Sequence, residues 1–342
     1  MNQVVFLSIA CDTDPDVTPP CRELGTEDGE CFWRGITTGV DSLRQRLKDT
    51  SFSLKYGPLP VTWLLPSDQL ICQLYGNAAF CFQRFERLWR REMQQGSEIG
   101  WHPHLWRWDE EGNRWRPYLG RDDDLELLRE CLRCLRQHVD IRAVRTGWDY
   151  HSNRLMGLFD EQGLLVDASA IPGCTQIGDW FYDWRGSGRA PFWPSKQDYR
   201  KSGVSPESSW RICEMPILVR RLDWPAHLLR YGIRELKSVT TRRANDQRHL
   251  TDWESTRWQG ILVTSPGAPF EEAARQTISA DAGAENIFLT AHFHAGELLV
   301  SHLLERFVHN LERLSCLVER NGARLVPTTL TAAASFVKRW GN

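Results

Sequence analysis

The chain has 342 residues, room for two average domains or for one barrel-sized domain with a large core. It is 41% hydrophobic and 25% charged with a net charge of −2, a balance that gives no electrostatic case for nucleic acid or an anionic membrane as a partner. Ten cysteines follow no disulfide-scaffold rhythm, and the sequence shows no signal peptide and no transmembrane run, so reduced thiols and a cytoplasmic location are expected. Sixteen tryptophans are unusual; buried aromatic mass accounts for some of them, and flat indole faces also line sugar sites.

In chain order, Val4–Ala10 is a continuous apolar run of the kind a strand buried on both faces shows, and it ends in Cys11-Asp12-Thr13-Asp14-Pro15-Asp16. Residues 17–35, rich in Pro, Gly, Glu and Cys, read as a loop or lid. Val40, Leu43 and Leu47 share a face of a helix predicted near Thr38–Lys48, and Pro60–Leu65 is a second buried strand ending at Ser67-Asp68. Ala79–Gln94 reads as one helix, after which Glu98–Trp101 leads into His102-Pro103-His104. A helix opens at Asp122-Asp123-Asp124, with acids at its positive end, and runs to about Val139. Cys131 and Cys134 lie in that helix and read as core filling rather than zinc ligands. Ile141–Val144 is a third strand, ending at Arg145, and a helix near Ser152–Gln162 closes at Gly163 before Leu164–Val166 and Asp167.

From Cys174 to Arg211 the pattern breaks into aromatics interleaved with Gly, Pro, Asp and Arg, a stretch whose length argues for function and whose aromatic load argues against disorder. Ile212–Leu218 reads as a strand carrying Glu214, residues 221–258 as a charged, mostly helical insertion, and Gln259–Val263 as a strand or part of that outer layer. A helix over Phe270–Ser279 precedes the strand Ile287–Ala291, which ends in His292-Phe293-His294-Ala295-Gly296-Glu297. Leu298–Glu319 is a long helix stopped by Gly322, and Leu330–Arg339 is a last one. Strands alternating with helices mean a parallel sheet or barrel in a single domain. Its reactive groups then fall at the strands' carboxyl ends, where barrels of this type gather their catalytic residues.

Two of those strand ends carry metal-ligand chemistry. Residues i and i+2 of an extended segment point the same way, so His102 and His104 can reach one point, whereas on a helix they would diverge by about 200°. Pro103 disfavours a helix interior there. Asp12, Asp14 and Asp16 alternate just past a buried strand and repel one another unless a cation or basic group sits among them, a solvated turn being the alternative.

These pieces, in this order, resemble the polysaccharide deacetylase family (the NodB homology domain, carbohydrate esterase family 4), over most of residues 4–335. Ser8-Ile-Ala-Cys-Asp12-Thr-Asp14 is similar to the first motif of that family, Glu98-Ile-Gly-Trp-His102-Pro-His104 to the second, and Arg145-Thr-Gly-Trp148 with Asp167-Ala-Ser169 to the third. Glu214-Met-Pro216 resembles the fourth and Phe293-His294-Ala-Gly-Glu-Leu298 the fifth. The departures are specific: the family's second-motif histidines stand four apart whereas position 106 here is Trp, Thr13 separates the first-motif acids, and Glu replaces the commoner Asp in the fourth. The D-x-D form is similar to the branch acting on small or lipid-linked sugars.

The resemblance implies an α/β fold, a distorted (β/α) barrel, with the aromatic insertion near 174–211 and the helical one near 221–258. It implies a divalent metal, zinc in the first instance, held by Asp14, His102 and His104. Asp12 would be the base, Arg145 its charge partner, and His294 the acid, with His292 as rival and Glu214 orienting it. Asp68, Trp148, Trp184, Trp193 and Tyr199 would meet the substrate. The implied reaction releases acetate and a free amino sugar from a sugar nucleotide, a lipid-linked sugar or a glycosylated metabolite. Two other classes stay open, a catalytically inactive carbohydrate-binding barrel and a hydrolase of a non-sugar amide such as a formamide or cyclic ureide.

Overall fold

The computed structural model describes residues 3–16, 33–109, 114–117, 122–176, 182–229 and 257–338. Most of the loop or lid expected over 17–35, residues 17–32, and most of the expected helical insertion, 230–256, lie outside the described residues, as do Trp180 and Phe181.

Eight strands build the main sheet: β1 (Val4–Asp12), β2 (Val61–Pro66), β3 (Glu98–His102), β4 (Ala143–Val144), β5 (Val166–Asp167), β6 (Cys213–Glu214), β7 (Asn286–His294) and β8 (Arg324–Thr328). They pair in the order β6-β5-β4-β3-β2-β1-β7, all parallel, so the first six follow one another as chain order dictates. β7 pairs with the whole of β1, from Val4↔Asn286 to Asp12↔His294. The other edge of β1 is therefore shared: β8 takes Val4–Ser8 and β2 takes Ile9–Asp12. Single bridges from Ile217 to Thr290 and from Leu262 to His292 bring later chain onto the free edge of β7 and curl the sheet into a distorted (β/α) barrel.

The helices are α1 (Val40–Leu47), α2 (Ser51–Tyr56), α3 (Gln69–Tyr75), α4 (Phe80–Arg84), α5 (Glu86–Gln94), α6 (Asp122–Arg136), α7 (Asn153–Glu161), α8 (Gly267–Ala280), α9 (Ser301–Arg320) and α10 (Leu330–Ala334). The single helix expected over Ala79–Gln94 is two, broken at Phe85, which leaves helical geometry (φ −114°, ψ 26°) and packs its ring 5.8 Å from that of Trp33. The expected strand Ile212–Leu218 contributes only Cys213–Glu214 to β6, because the chain then crosses to β7 at Ile217. The short helices α2 and α3 and a hairpin pairing Trp106–Asp109 with Arg114–Pro117 carry too little periodicity to stand out in sequence. No helix among the described residues is long and apolar enough to cross a membrane.

Alternation along β1 decides what faces where. Val5, Leu7, Ile9 and Cys11 pack outward with helix residues such as Leu43, Phe307 and Leu311. Ala10 faces inward with Leu64, Ala143, Val166, Ala168, Cys213 and Met215. Those interior residues are mostly small, which leaves room for α10 to enter with Leu330, Ala333 and Ala334. Its first amides are met from inside: Leu330 N–H donates to Thr62 Oγ1 at 3.0 Å and Thr331 N–H to Glu98 Oε2 at 3.2 Å. The barrel is thus filled beside the first half of the strands, and polar side chains are left for the carboxyl rim.

A buried ion pair ties the outer layer to this sheet. Arg44 on α1 forks onto Glu92 on α5 and also donates to the Leu59 carbonyl at 2.7 Å. Trp63 of β2 donates its indole N–H to the same carboxylate at 3.0 Å. Glu92 is fully buried, so removing it strands a cation and an indole N–H away from water. Glu92→Ala should cost about 3–5 kcal/mol of stability, read as a lowered denaturation midpoint in urea.

Candidate metal centre

The first two motifs converge through the sheet. Asp12 ends β1 and His102 ends β3, while Asp14 and His104 follow on extended chain, so all four sit at one rim. His102 Nδ1 donates to the Arg145 carbonyl at 2.7 Å. His104 Nδ1 donates to Asp68 Oδ2 at 3.0 Å, and the backbone N–H of His104 donates to the same oxygen at 3.0 Å. Each ring thereby spends its Nδ1 proton on a fixed acceptor and aims its Nε2 into the site, where a metal would displace any proton held there. The two Nε2 atoms lie 3.5 and 3.6 Å from the two oxygens of Asp14. Asp14 Oδ1 is buried without a hydrogen-bond partner, and one ligand atom from each of the three residues falls within 4.8 Å of the others. Two imidazole lone pairs and a carboxylate so disposed fit a divalent metal of the zinc type.

Close approach on the far side of His104 requires glycine. A Cβ at Gly147 would run into the His104 ring, and the Gly147 N–H donates to the Pro103 carbonyl at 2.9 Å, which docks the third motif onto the second. Beyond Gly147, Trp148 and Asp149 both hold positive φ, 59° and 56°, a strained turn for residues with side chains.

Arg145 is buried at the centre of the rim. It donates to Asp12 Oδ2 at 2.5 Å and pairs with Asp149 through its other amino group. Burial would raise the Asp14 carboxyl, yet His102 and His104 outweigh it and hold it well below the usual carboxylate range. Burial would likewise lower His102, but Asp12 and Asp14 raise it to about 9. Asp149 is pushed up by burial against the pull of Arg145.

Across the rim, the register of β1 with β7 places Asp12 opposite His294, whose Nε2 lies 3.7 Å from Asp12 Oδ2. Burial works against the charged form of His294, but Glu297 and the carboxylates of Asp12 and Asp14 prevail and raise its pKa. Glu297 stands 3.7 Å from His294 Nδ1 and is itself held by Thr264 Oγ1 at 2.8 Å. His292, two residues earlier, is buried, and burial together with Arg145, His294 and His102 keeps it well below the histidine range, hence neutral.

Several expected roles change with these positions. Glu214 does not orient His294; it is fully buried, accepts the Ala170 N–H at 2.9 Å and sits with Asp167 and His151, while Glu297 takes the place beside His294. Asp68 does not face a substrate: fully buried, it caps α3 through the Ile71 N–H at 3.0 Å and braces His104. Trp184 is fully buried, donates its indole N–H to the Asp149 carbonyl at 3.0 Å and packs on His151 and Tyr199, so it cannot stack on a sugar. Tyr199 stacks on His151 at 5.0 Å and donates its hydroxyl to the Asp183 carbonyl. Trp193 packs partly buried against the interior cluster, and Trp148 alone of the five is exposed, at 42%.

Sequence reasoning missed Glu297, Asp149 and His151 as site-building residues. An acid three residues after His294, at a helix entry, was a readable signal for Glu297; nothing local marks His151.

No sequence-family model matches the chain, and no curated protein matches it. Solved structures do. A protein assigned as a glycoside hydrolase/deacetylase of Parabacteroides distasonis has a TM-score of 0.57 at 14% identity, over 98% of this chain and 70% of that one. One assigned as a polysaccharide deacetylase of Pseudomonas aeruginosa gives 0.52 at 13%, over 97% and 90%. The allantoinase PuuE gives 0.51 at 14%, over 97% and 89%. The chain has the fold of the polysaccharide deacetylases, as its motifs imply.

Proposed function

We propose that this protein is a metal-dependent hydrolase that removes the acetyl group from an N-acetylated amino sugar. The observation that carries the reading is the convergence of His102 and His104 Nε2 on Asp14, beside an Asp12–Arg145 pair and facing His294. Asp14, His102 and His104 would hold the metal. When bound, a divalent metal supplies a Lewis acid that polarises an amide carbonyl and acidifies water.

The chain's own residues supply the rest. Asp12 accepts the proton of the attacking water at Oδ1, the oxygen that has no hydrogen-bond partner, while Arg145 grips Oδ2. His294, 48% exposed at the rim and kept protonated by its acidic neighbours, donates to the departing amine. Glu297 holds the His294 ring in place. His292 is neutral and has no proton of that acidity to give. Trp148, exposed at the rim, offers a face for the substrate.

One observation favours a smaller amide as a second reading. Trp184 and Tyr199 are committed to packing, so among the described residues the aromatic lining expected for a sugar shrinks toward Trp148. The fold is also that of an allantoinase.

Metal analysis of the purified protein tests the centre: about one divalent ion per chain is expected, lost in His102→Ala and His104→Ala and weakened in Gly147→Ala. Protein that takes up no metal even with zinc added would sink the hydrolase reading and leave a sugar-binding barrel. Acetate release from N-acetylglucosamine derivatives, run beside formamides and cyclic ureides, separates the two substrate classes. His294→Ala should lower kcat about 100- to 10,000-fold with metal content intact.

The pH profile follows from the raised His294. Its acid form is complete below the ordinary histidine range and persists above it, so the alkaline limb of kcat should lie above that range. Glu297→Gln removes part of the cause and should move that limb to lower pH; an unmoved limb would show that another group is the acid.

A further inference from the structure

Behind the rim lies a second group of ionisable residues that the proposed reaction does not use. His151, Asp167 and Glu214 are all buried at 1% exposure or less, and a ligand-type atom from each lies within 4.8 Å of the others. Such a group must enclose either a cation or a proton, because two carboxylates sealed together cannot both be charged and uncompensated.

The hydrogen bonds distinguish the two. His151 Nδ1 lies 2.9 Å from the Ser152 nitrogen and 3.1 Å from the Ser152 carbonyl oxygen, so the proton shared with Asp167 is read from the other ring nitrogen. Nε2 lies 2.6 Å from Asp167 Oδ2, a contact with a proton in it. Two atoms ligating one tetrahedral metal through bonds near 2.0 Å sit roughly 3.3 Å apart, close to the 3.5 and 3.6 Å found around Asp14 and well beyond 2.6 Å. Asp167 Oδ1 is likewise filled by donors, the Ser169 hydroxyl at 2.5 Å and the Ser169 N–H at 3.1 Å. Every neighbour of Asp167 thus gives it a proton, so it is the charged acceptor of the group. Glu214 has Oε1 filled by the Ala170 N–H, and its Oε2 is buried without a partner of its own.

We propose that Glu214 is a neutral acid that donates its proton to Asp167, and that the resulting Glu214–Asp167–His151 unit locks the strained turn that carries Arg145. The link to the turn is direct. The Ser169 hydroxyl that donates to Asp167 accepts the Thr146 N–H at 2.9 Å, one residue after Arg145. Thr146 in turn donates its hydroxyl to the Tyr150 carbonyl at 2.6 Å, spanning Trp148 and Asp149 at their positive φ. Glu214 is a positioning residue, three hydrogen bonds from the Thr146 N–H it steadies. The groups facing it agree with the assignment: burial and the charge of Asp167 raise its carboxyl well above the ordinary range, Arg145 opposing.

Glutamine is the isosteric neutral donor, so Glu214→Gln tests the proton without using the proposed reaction. At pH 6 its Tm should lie within about 2 °C of the parent, whereas Glu214→Ala, which opens a hole and strands Asp167, should melt about 4–8 °C lower. The raised carboxyl adds a second signature. The parent is stabilised by its bound proton below the unfolded carboxylate range and loses that contribution as pH rises, so Glu214→Gln should overtake the parent in Tm between pH 6 and pH 9. Three results overturn the proposal: Glu214→Gln melting as low as Glu214→Ala or failing to fold, a gap to the parent that does not change with pH, or a second equivalent of divalent metal that Glu214→Gln loses.

Discussion

Asp12, Asp14 and Asp149 are gathered at one poorly hydrated rim around a single arginine, and their mutual repulsion is felt at low dielectric. Arg145 answers two of them directly, Asp12 and Asp149. The remaining negative charge is taken up by histidines, and this is why His102 and His294 are both raised while His292, buried and faced by Arg145, His294 and His102, is lowered. The protonation pattern of the rim is therefore a consequence of sheet geometry. The register that sets Asp12 opposite His294, and the strand order that puts β3 and β4 side by side, decide which side chains share the rim's charge.

The two buried clusters show how similar residue types serve different ends. Around Asp14, imidazole nitrogens stand off at 3.5 and 3.6 Å with their own protons spent elsewhere. Around Asp167, the imidazole closes to 2.6 Å and spends its proton there. What separates them is where the ring proton goes: to the Arg145 carbonyl or Asp68, outside the cluster, in the first case, and to Asp167, inside it, in the second.

Much of this was legible in the sequence where the signal is local. The alternation of Asp12 with Asp14 and of His102 with His104, each at the end of an apolar run, declares the rim, because strand periodicity fixes direction as soon as the strand is recognised. The parallel sheet followed from alternating elements. What was not legible depends on residues far apart meeting. An acid at a strand end reads alike whether it faces a ligand or, like Asp68, caps a helix and steadies a histidine 36 residues on. Trp184 in an aromatic stretch reads alike whether it lines a cleft or packs on His151, and Glu214 reads alike beside His294 or beside Asp167. The helix break at Phe85 is of the same kind, a tertiary contact with Trp33 overriding a good helical pattern.

The shared edge of β1 has a consequence for how the molecule comes to exist. The strand that begins the sheet has one side completed only by β7 and the lower half of the other only by β8, partners some 280 and 320 residues away. Contacts of that separation are slow to form, since a long loop must close before any of them is rewarded. As the chain emerges during synthesis, Val4–Ser8 offers bare backbone edges and an uncovered apolar surface until β8 and the α10 stopper arrive, so a chain arrested before Arg324 presents a sticky strand to its neighbours.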